Sequence, residues 1–285
     1  MLKIETQYDA DTFTLTYIVY DDNTGDAVII DPVLDIDTAA GKLSFESLNK
    51  ITSFVKTQKL NVKGILETHA HADHLSSSQY LKEQFPEAQV AISERIKIVQ
   101  ETFRPVFNLK DLNIDGSQFD LLFKDHETYN FGSVAVKILP TPGHTPACTS
   151  FLIEDNLFTG DALFMPDFGT GRCDFPAGSA EDLYKSISEE IYTLPDETKI
   201  WVGHDYQPNG RELKFQTTVK ESKEDNIQLS SKTSKEQFFT FRTERDKTLA
   251  APRLLLPSIQ VNVDAGHLPK EEDNVAVKFT FNITL

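Results

Sequence analysis

The sequence predicts an α/β fold built from packed layers of sheet and helix. Two observations carry this. Strand-like runs rich in β-branched and aromatic residues occur in both halves of the chain, with helix-spaced segments interleaved between them. Several apolar runs also end on a metal-capable residue, as strands do when the loops at one sheet edge build a site. No internal repeat and no low-complexity stretch interrupts the pattern.

Taken in order, residues 12–31 predict a hairpin, "TFTLTYIVY" and "AVIIDP" joined by the turn "DDNTGD". Those acids do not have EF-hand spacing and no helix precedes them, so a calcium loop is set aside. Residues 43–59 carry apolar side chains near helical spacing. "VKGILETH" predicts a short buried strand, "SSSQYLKEQF" a helix and "QVAIS" another strand. "TYNFGSVAVKILPTPGH" predicts a turn and a strand ending at Pro140, and "TSFLIEDNLFTGD" a hairpin. "SAEDLYKSISEEIYTL" predicts a helix capped by Ser179, with acids in its first turn. "KIWVGHD" is strand-like, "SKEQFFTFRTERDKTL" is a late helix, and "RLLLPSIQV" is an apolar segment broken by Pro257. The chain reads as a single domain over 1–285, with a core at about 10–210 and a C-terminal helix-and-strand extension at about 211–285.

Composition narrows the function. Hydrophobic residues make up 39% of the 285, enough for a sizeable core. The formal charge of -16 argues against a nucleic-acid partner and against docking on an anionic membrane. It leaves room for a small anionic substrate in a local positive pocket. The first twenty residues lack a basic start and apolar core, and no apolar run approaches the roughly 18–20 residues of a membrane span. Cys148 and Cys173 do not form a disulfide framework. A soluble, cytoplasmic protein is therefore expected, and the sequon at Asn282 reads as a chance match.

"THAHADHL" at 68–75 holds three of the seven histidines. Protonated, they would repel one another, and buried they need partners, so without a metal the cluster is costly. His69 and His71 follow "VKGILET", His144 follows "VAVKILPTPG", Asp161 follows "NLFTG" and His204 follows "KIWVG". Strands lying side by side would bring these ends together. Imidazole with carboxylate suits zinc, iron, manganese or copper. His69 and His71 can face one ion, whereas Asp73 and His74, at the start of the following helix, project differently. Gly143 and Gly160 allow the sharp turns that aim His144 and Asp161. His126 and His267 read as ordinary histidines.

H-x-H-x-D-H at 69–74, followed by His144, Asp161 and His204, resembles the metallo-β-lactamase superfamily. The resemblance covers about residues 10–210 and implies a four-layer αβ/βα sandwich with the metal site at one sheet edge. "GTGRCDFPAGSAEDLYKSI" and "GHDYQPNGRE" resemble the persulfide dioxygenase branch near glyoxalase II, and "RLLLPSIQVNVDAGHLPKEEDN" resembles bacterial members that act with sulfurtransferases. This implies one Fe(II) per chain held by His69, His144 and Asp161, and oxidation of glutathione persulfide by O₂ to sulfite and glutathione. His71, Asp73, His74 and His204 complete the pattern of a second metal site, and in this branch they act mostly around the ion rather than on it, with Asp73 and His204 serving catalysis by orienting ligands and water. A sulfurtransferase partner and a homodimer are expected by the same analogy.

Arg172 is the first candidate for the glutathione carboxylates, with a salt bridge to Asp174 as the equal alternative; Tyr206 and Arg211 are further candidates. Cys173 stands where better-known members have Thr, and it reads as a small buried residue rather than a redox group. Spacing alone does not choose iron over zinc. One or two zinc ions on the same residues would make a thioester hydrolase of the glyoxalase II type. A non-catalytic thiol-binding module is the third reading, against which the complete ligand set weighs.

Overall fold

A computed structural model of the chain describes residues 1–269. Asn282 lies outside them. The strands are β1 (Leu2–Asp9), β2 (Thr14–Asp21), β3 (Asp26–Ile30), β4 (Val33–Asp37), β5 (Lys42–Ser44), β6 (Asn61–Leu66), β7 (Leu75–Ser76), β8 (Gln89–Ser93), β9 (Leu121–Phe123), β10 (Thr128–Phe131), β11 (Val134–Pro140), β12 (Thr149–Ile153), β13 (Asn156–Phe158), β14 (Lys199–Trp201) and β15 (Gln216–Thr218). The helices are α1 (Glu46–Gln58), α2 (Ser78–Gln84), α3 (Ile96–Val106), α4 (Ala180–Lys185, running on as a π-helical stretch Ser186–Ile191), α5 (Val219–Asp225), α6 (Lys235–Asp246) and α7 (Leu255–Asn262). Among the described residues no helix is long and apolar enough to cross a membrane.

Two six-stranded sheets face each other, ordered β1-β2-β3-β6-β8-β9 and β10-β11-β12-β13-β14-β15. In the first, β3, β6, β8 and β9 are parallel, and α1, α2 and α3 make the crossovers that parallel pairing requires. Alternation along each strand sorts the side chains between two cores. In β2, Leu15, Tyr17 and Val19 enter the core between the sheets, while Ile18 and Tyr20 join the core beneath the helices with Ile51, Val55 and Val99. On the other flank, Leu183, Ile187 and Phe238 bring α4 and α6 onto the second sheet. The result is the four-layer αβ/βα sandwich.

The expected hairpins and helices are present, and the structure adds β1, β4, β5, β7, β9, β15, α3 and α5; β5 takes the start of the segment expected to be helical from residue 43, and β10 stands where a turn was expected. β1 is a sheet edge of mostly polar residues, so it carries little apolar signal, yet it pairs with β2 over its whole length. Ser179 caps α4, accepting from the Asp182 N–H at 3.1 Å. Pro257 does not break its segment. It is the third residue of α7, in a first turn whose N–H groups have no intrahelical partner to lose. Asp73 and His74 do not begin a helix; they lie in the loop before β7, and α2 starts at Ser78.

The two sheets meet closely at Gly64 of β6, where a Cβ would stand 2.7 Å from the Phe131 ring. Gly64→Ala should overpack this contact and lower stability by about 1–3 kcal/mol, read as an earlier urea midpoint with an unchanged slope. An unshifted midpoint would mean that the two sheets can separate locally at no cost.

Candidate metal centre

His69, His71, Asp73 and His74 stand in the loop after β6, His144 after β11, Asp161 after β13 and His204 after β14. β11 and β13 are each antiparallel to β12, and β14 is parallel to β13, so these three strands deliver their C-terminal ends to one edge. Backbone bonds pin the first sheet to the same edge. The Leu15 N–H donates to the Gly203 carbonyl at 2.9 Å, and the Thr149 N–H to the Thr68 carbonyl at 3.0 Å. Gly143 (φ 142°) and Gly160 (φ 49°) occupy the region that favours glycine, as the turns before His144 and Asp161 require.

The seven side chains divide into two groups. His69, His144 and Asp161 form one and His71, Asp73, His74 and His204 the other, each with its ligand atoms within 4.8 Å of one another. All are buried except Asp73, which is partly exposed. Asp161 looks both ways: one oxygen is 3.7 Å from His144 Nε2 and the other 3.2 Å from His204 Nε2.

These atoms crowd without bonding. Nε2 of His69 and His74 and Nδ1 of His71 are buried with no hydrogen-bond partner among the described residues. Buried polar atoms left so cost free energy that a coordinated cation recovers. The opposite ring nitrogens are engaged instead. His144 Nδ1 donates to the Arg172 carbonyl at 2.7 Å, and His69 Nδ1 lies 3.1 Å from the Thr68 hydroxyl. The His144 bond leaves Nε2 as the lone-pair atom aimed at the centre. The residues present therefore fit a metal ion.

Electrostatics agree. Burial, helped by His71, drives the His69 imidazole well below its usual range, which keeps it neutral. Burial also works against charge on His71 and His204, but Asp31 lifts the first to about 9 and Asp161 with Asp73 lifts the second to about 10. Burial would raise Asp73 and Asp161, yet the surrounding histidines, His204 foremost, together outweigh it and hold both below the carboxylate range. Without a cation, the carboxylates are balanced only by protons on these two imidazoles.

Several supporting residues are not anticipated by the sequence reading. Asp31, at the end of β3, accepts from the Thr68 N–H at 2.7 Å and hydroxyl at 2.8 Å and stands 3.0 Å from His71 Nε2. Its signal is available in hindsight, an aspartate just past an apolar run, like the ligands themselves. Glu67 is buried behind His71 and accepts from Ser76 and Ser78. Asn262 of α7 reaches across 191 residues of sequence to donate to the His71 carbonyl at 2.9 Å. It also donates to the His74 carbonyl and accepts from the Ser76 N–H, both at 2.8 Å. Nothing in the local sequence marks that role.

A cleft of ≈ 640 Å³ opens onto the centre, with His144, Asp161 and Asp73 among its lining residues. Arg172 lines it too, but its fork is bound to both oxygens of Asp174 at 2.6 Å. Tyr206 lines it and stacks on His204, ring centroids 5.5 Å apart. Arg211 is occupied elsewhere, paired with Asp205 at 2.7 Å and with Asp167. Cys173 is buried, and burial pushes its thiol far up; its N–H donates to Asp246 at 2.8 Å. That carboxylate pairs with buried Arg242 at 2.6 Å, whose guanidinium also reaches the Thr170 carbonyl. The pair thus holds the 170–173 loop that orients His144.

Asn262→Ala should leave two buried carbonyls and one N–H of the histidine loop without this partner. We expect a loss of roughly 1–3 kcal/mol in urea unfolding, together with lower metal content after dialysis. Full metal retention beside lost stability would confine Asn262 to a packing role.

The sequence profile described as Metallo-beta-lactamase superfamily matches residues 10–204. A Dictyostelium discoideum protein named glyoxylase B2 is 47% identical over 95% of this chain and 94% of its own. The human protein named persulfide dioxygenase ETHE1, mitochondrial, is 33% identical over 72% of this chain and 69% of its own. The solved structure of ETHE1 from Myxococcus xanthus superposes with a TM-score of 0.75 at 29% identity, over 93% of this chain and all of that one. With the sandwich, the sheet-edge histidines and these likenesses together, the chain belongs to the metallo-β-lactamase superfamily.

Proposed function

We propose that the protein is an Fe(II)-dependent persulfide dioxygenase that converts glutathione persulfide, O₂ and water to glutathione and sulfite. The observation that carries this reading is the grouping of two histidines and one carboxylate, His69, His144 and Asp161, with their ligand atoms within 4.8 Å of one another. Such a facial triad suits Fe(II) oxygenases, because it leaves adjacent positions open. A ferrous ion there would supply sites at which O₂ and the terminal persulfide sulfur react side by side. The likeness to the proteins named persulfide dioxygenase and ETHE1 supports the same reading.

The chain's own residues would do the rest. The Arg172 carbonyl keeps His144 in one tautomer. Asp73 and His204, 3.1 Å apart, would orient water and the reacting sulfur. Phe164, Phe168 and Tyr206 wall the cleft and limit water beside the persulfide.

A zinc thioester hydrolase of the glyoxalase II type is the second reading. It is favoured by Asp161 facing both groups, as a bridging carboxylate would, and by the name of the Dictyostelium relative.

Elemental analysis of protein purified without added metal, beside O₂ uptake with glutathione persulfide, separates the two. The expected result is about one iron per chain with O₂ uptake. His69→Ala, His144→Ala or Asp161→Ala should remove iron and activity together, since two remaining ligands hold Fe(II) poorly. His74→Ala should keep iron near its starting level and slow turnover more moderately. Two zinc ions per chain, thioester cleavage and no O₂ uptake would overturn the reading.

A further inference from the structure

The cleft reaches well beyond the metal centre. At ≈ 640 Å³ it is the size of an organic ligand, far larger than O₂ or an inorganic sulfur chain needs. Its floor carries the centre, while its far wall comes from residues after the matched 10–204 stretch: Phe241 and Arg245 of α6, and Leu249, Pro252 and Arg253 of the loop leading to α7.

The cations of this cleft are not equivalent. Arg172 is neutralised by Asp174, and Arg242 by Asp246. Arg245 and Arg253 have no ion pair among the described residues. Each makes one long hydrogen bond of 3.5 Å, to the Thr248 hydroxyl and the Asp11 carbonyl respectively, and both are exposed. Of the carboxylates on the same rim, Asp167 is taken by Arg211, and Asp11 remains. In a chain of net charge -16, these two guanidinium groups, without an ion pair among the described residues, place positive charge at the cleft mouth. Their planar forks match carboxylates.

We propose that Arg245 and Arg253 form the recognition end of the substrate site. They bind the carboxylates of an extended organic thiol whose sulfur reaches the centre near Asp161. The substrate class is a thiol or persulfide of about tripeptide size carrying acid groups distant from its sulfur. Glutathione, with two carboxylates, satisfies that description. The α6–α7 segment thus sets which thiol is accepted, and the strand-end residues set what happens to its sulfur. This rests on reading the centre as acting on a thiol-borne sulfur.

The test is calorimetric titration of glutathione into the metal-loaded full-length protein. The Arg245→Gln/Arg253→Gln double variant should weaken binding by roughly tenfold or more, with metal content and melting temperature unchanged. Glutathione diethyl ester should bind the parent weakly and lose nothing further in the double variant. Equal binding of glutathione by parent and double variant would overturn the proposal, as would equal binding of acid and ester by the parent. Tighter binding of coenzyme A than of glutathione would replace the carboxylate assignment with a phosphate one. These outcomes are independent of turnover. Arginine-dependent glutathione binding without O₂ uptake would uphold this site and remove the dioxygenase reading. O₂ uptake with arginine-independent binding would do the reverse.

Discussion

The structure is organised around one unfavourable act, the burial of imidazoles and carboxylates at the edge between two sheets. A charged or unpaired polar group in such a place is costly unless something compensates it. His204 between Asp73 and Asp161, and His71 beside Asp31, show the compensation available to the protein alone, carried by shared protons. A divalent cation would add to this, because the buried Nε2 atoms of His69 and His74 and Nδ1 of His71 have no other partner among the described residues.

Holding these groups apart and aimed requires backbone rather than further side-chain charge. The ring nitrogen of His144 is set by the Arg172 carbonyl, the carbonyls of His71 and His74 are tied to Asn262, and Thr68 is clamped by Asp31. Each anchor is supplied by an element remote in sequence. The Arg242–Asp246 pair on α6 extends the chain of dependence, since it fixes the loop that carries Arg172. The helices after residue 204 are therefore part of the centre's frame, although the family profile ends there.

That frame also divides the labour of the cleft. The strand ends share one geometry because β11, β13 and β14 point the same way, and such rigid ends place ligands accurately. The mouth is built from a late helix and loop, where exposed residues can change without disturbing the sheets. Chemistry and recognition thus sit on parts of the chain with different tolerance to change.

What the sequence determined by itself was the layered class and the metal-capable set. Alternating apolar residues in β2 and β3 and helical spacing in α1 are local patterns, and H-x-H-x-D-H is compact enough to read directly. Edge strand β1 was illegible because its polar residues give no burial signal, and α7 was obscured by a proline whose place in a first turn depends on where the helix begins. Only the tertiary structure decided how the seven side chains divide into groups and that Arg172 and Arg211 are already paired. It also brought Asn262 and the α6 pair to the histidine loop's support. These are contacts between segments separated by up to 191 residues, and no local pattern encodes which distant carbonyl or carboxylate will face a given side chain once the layers close.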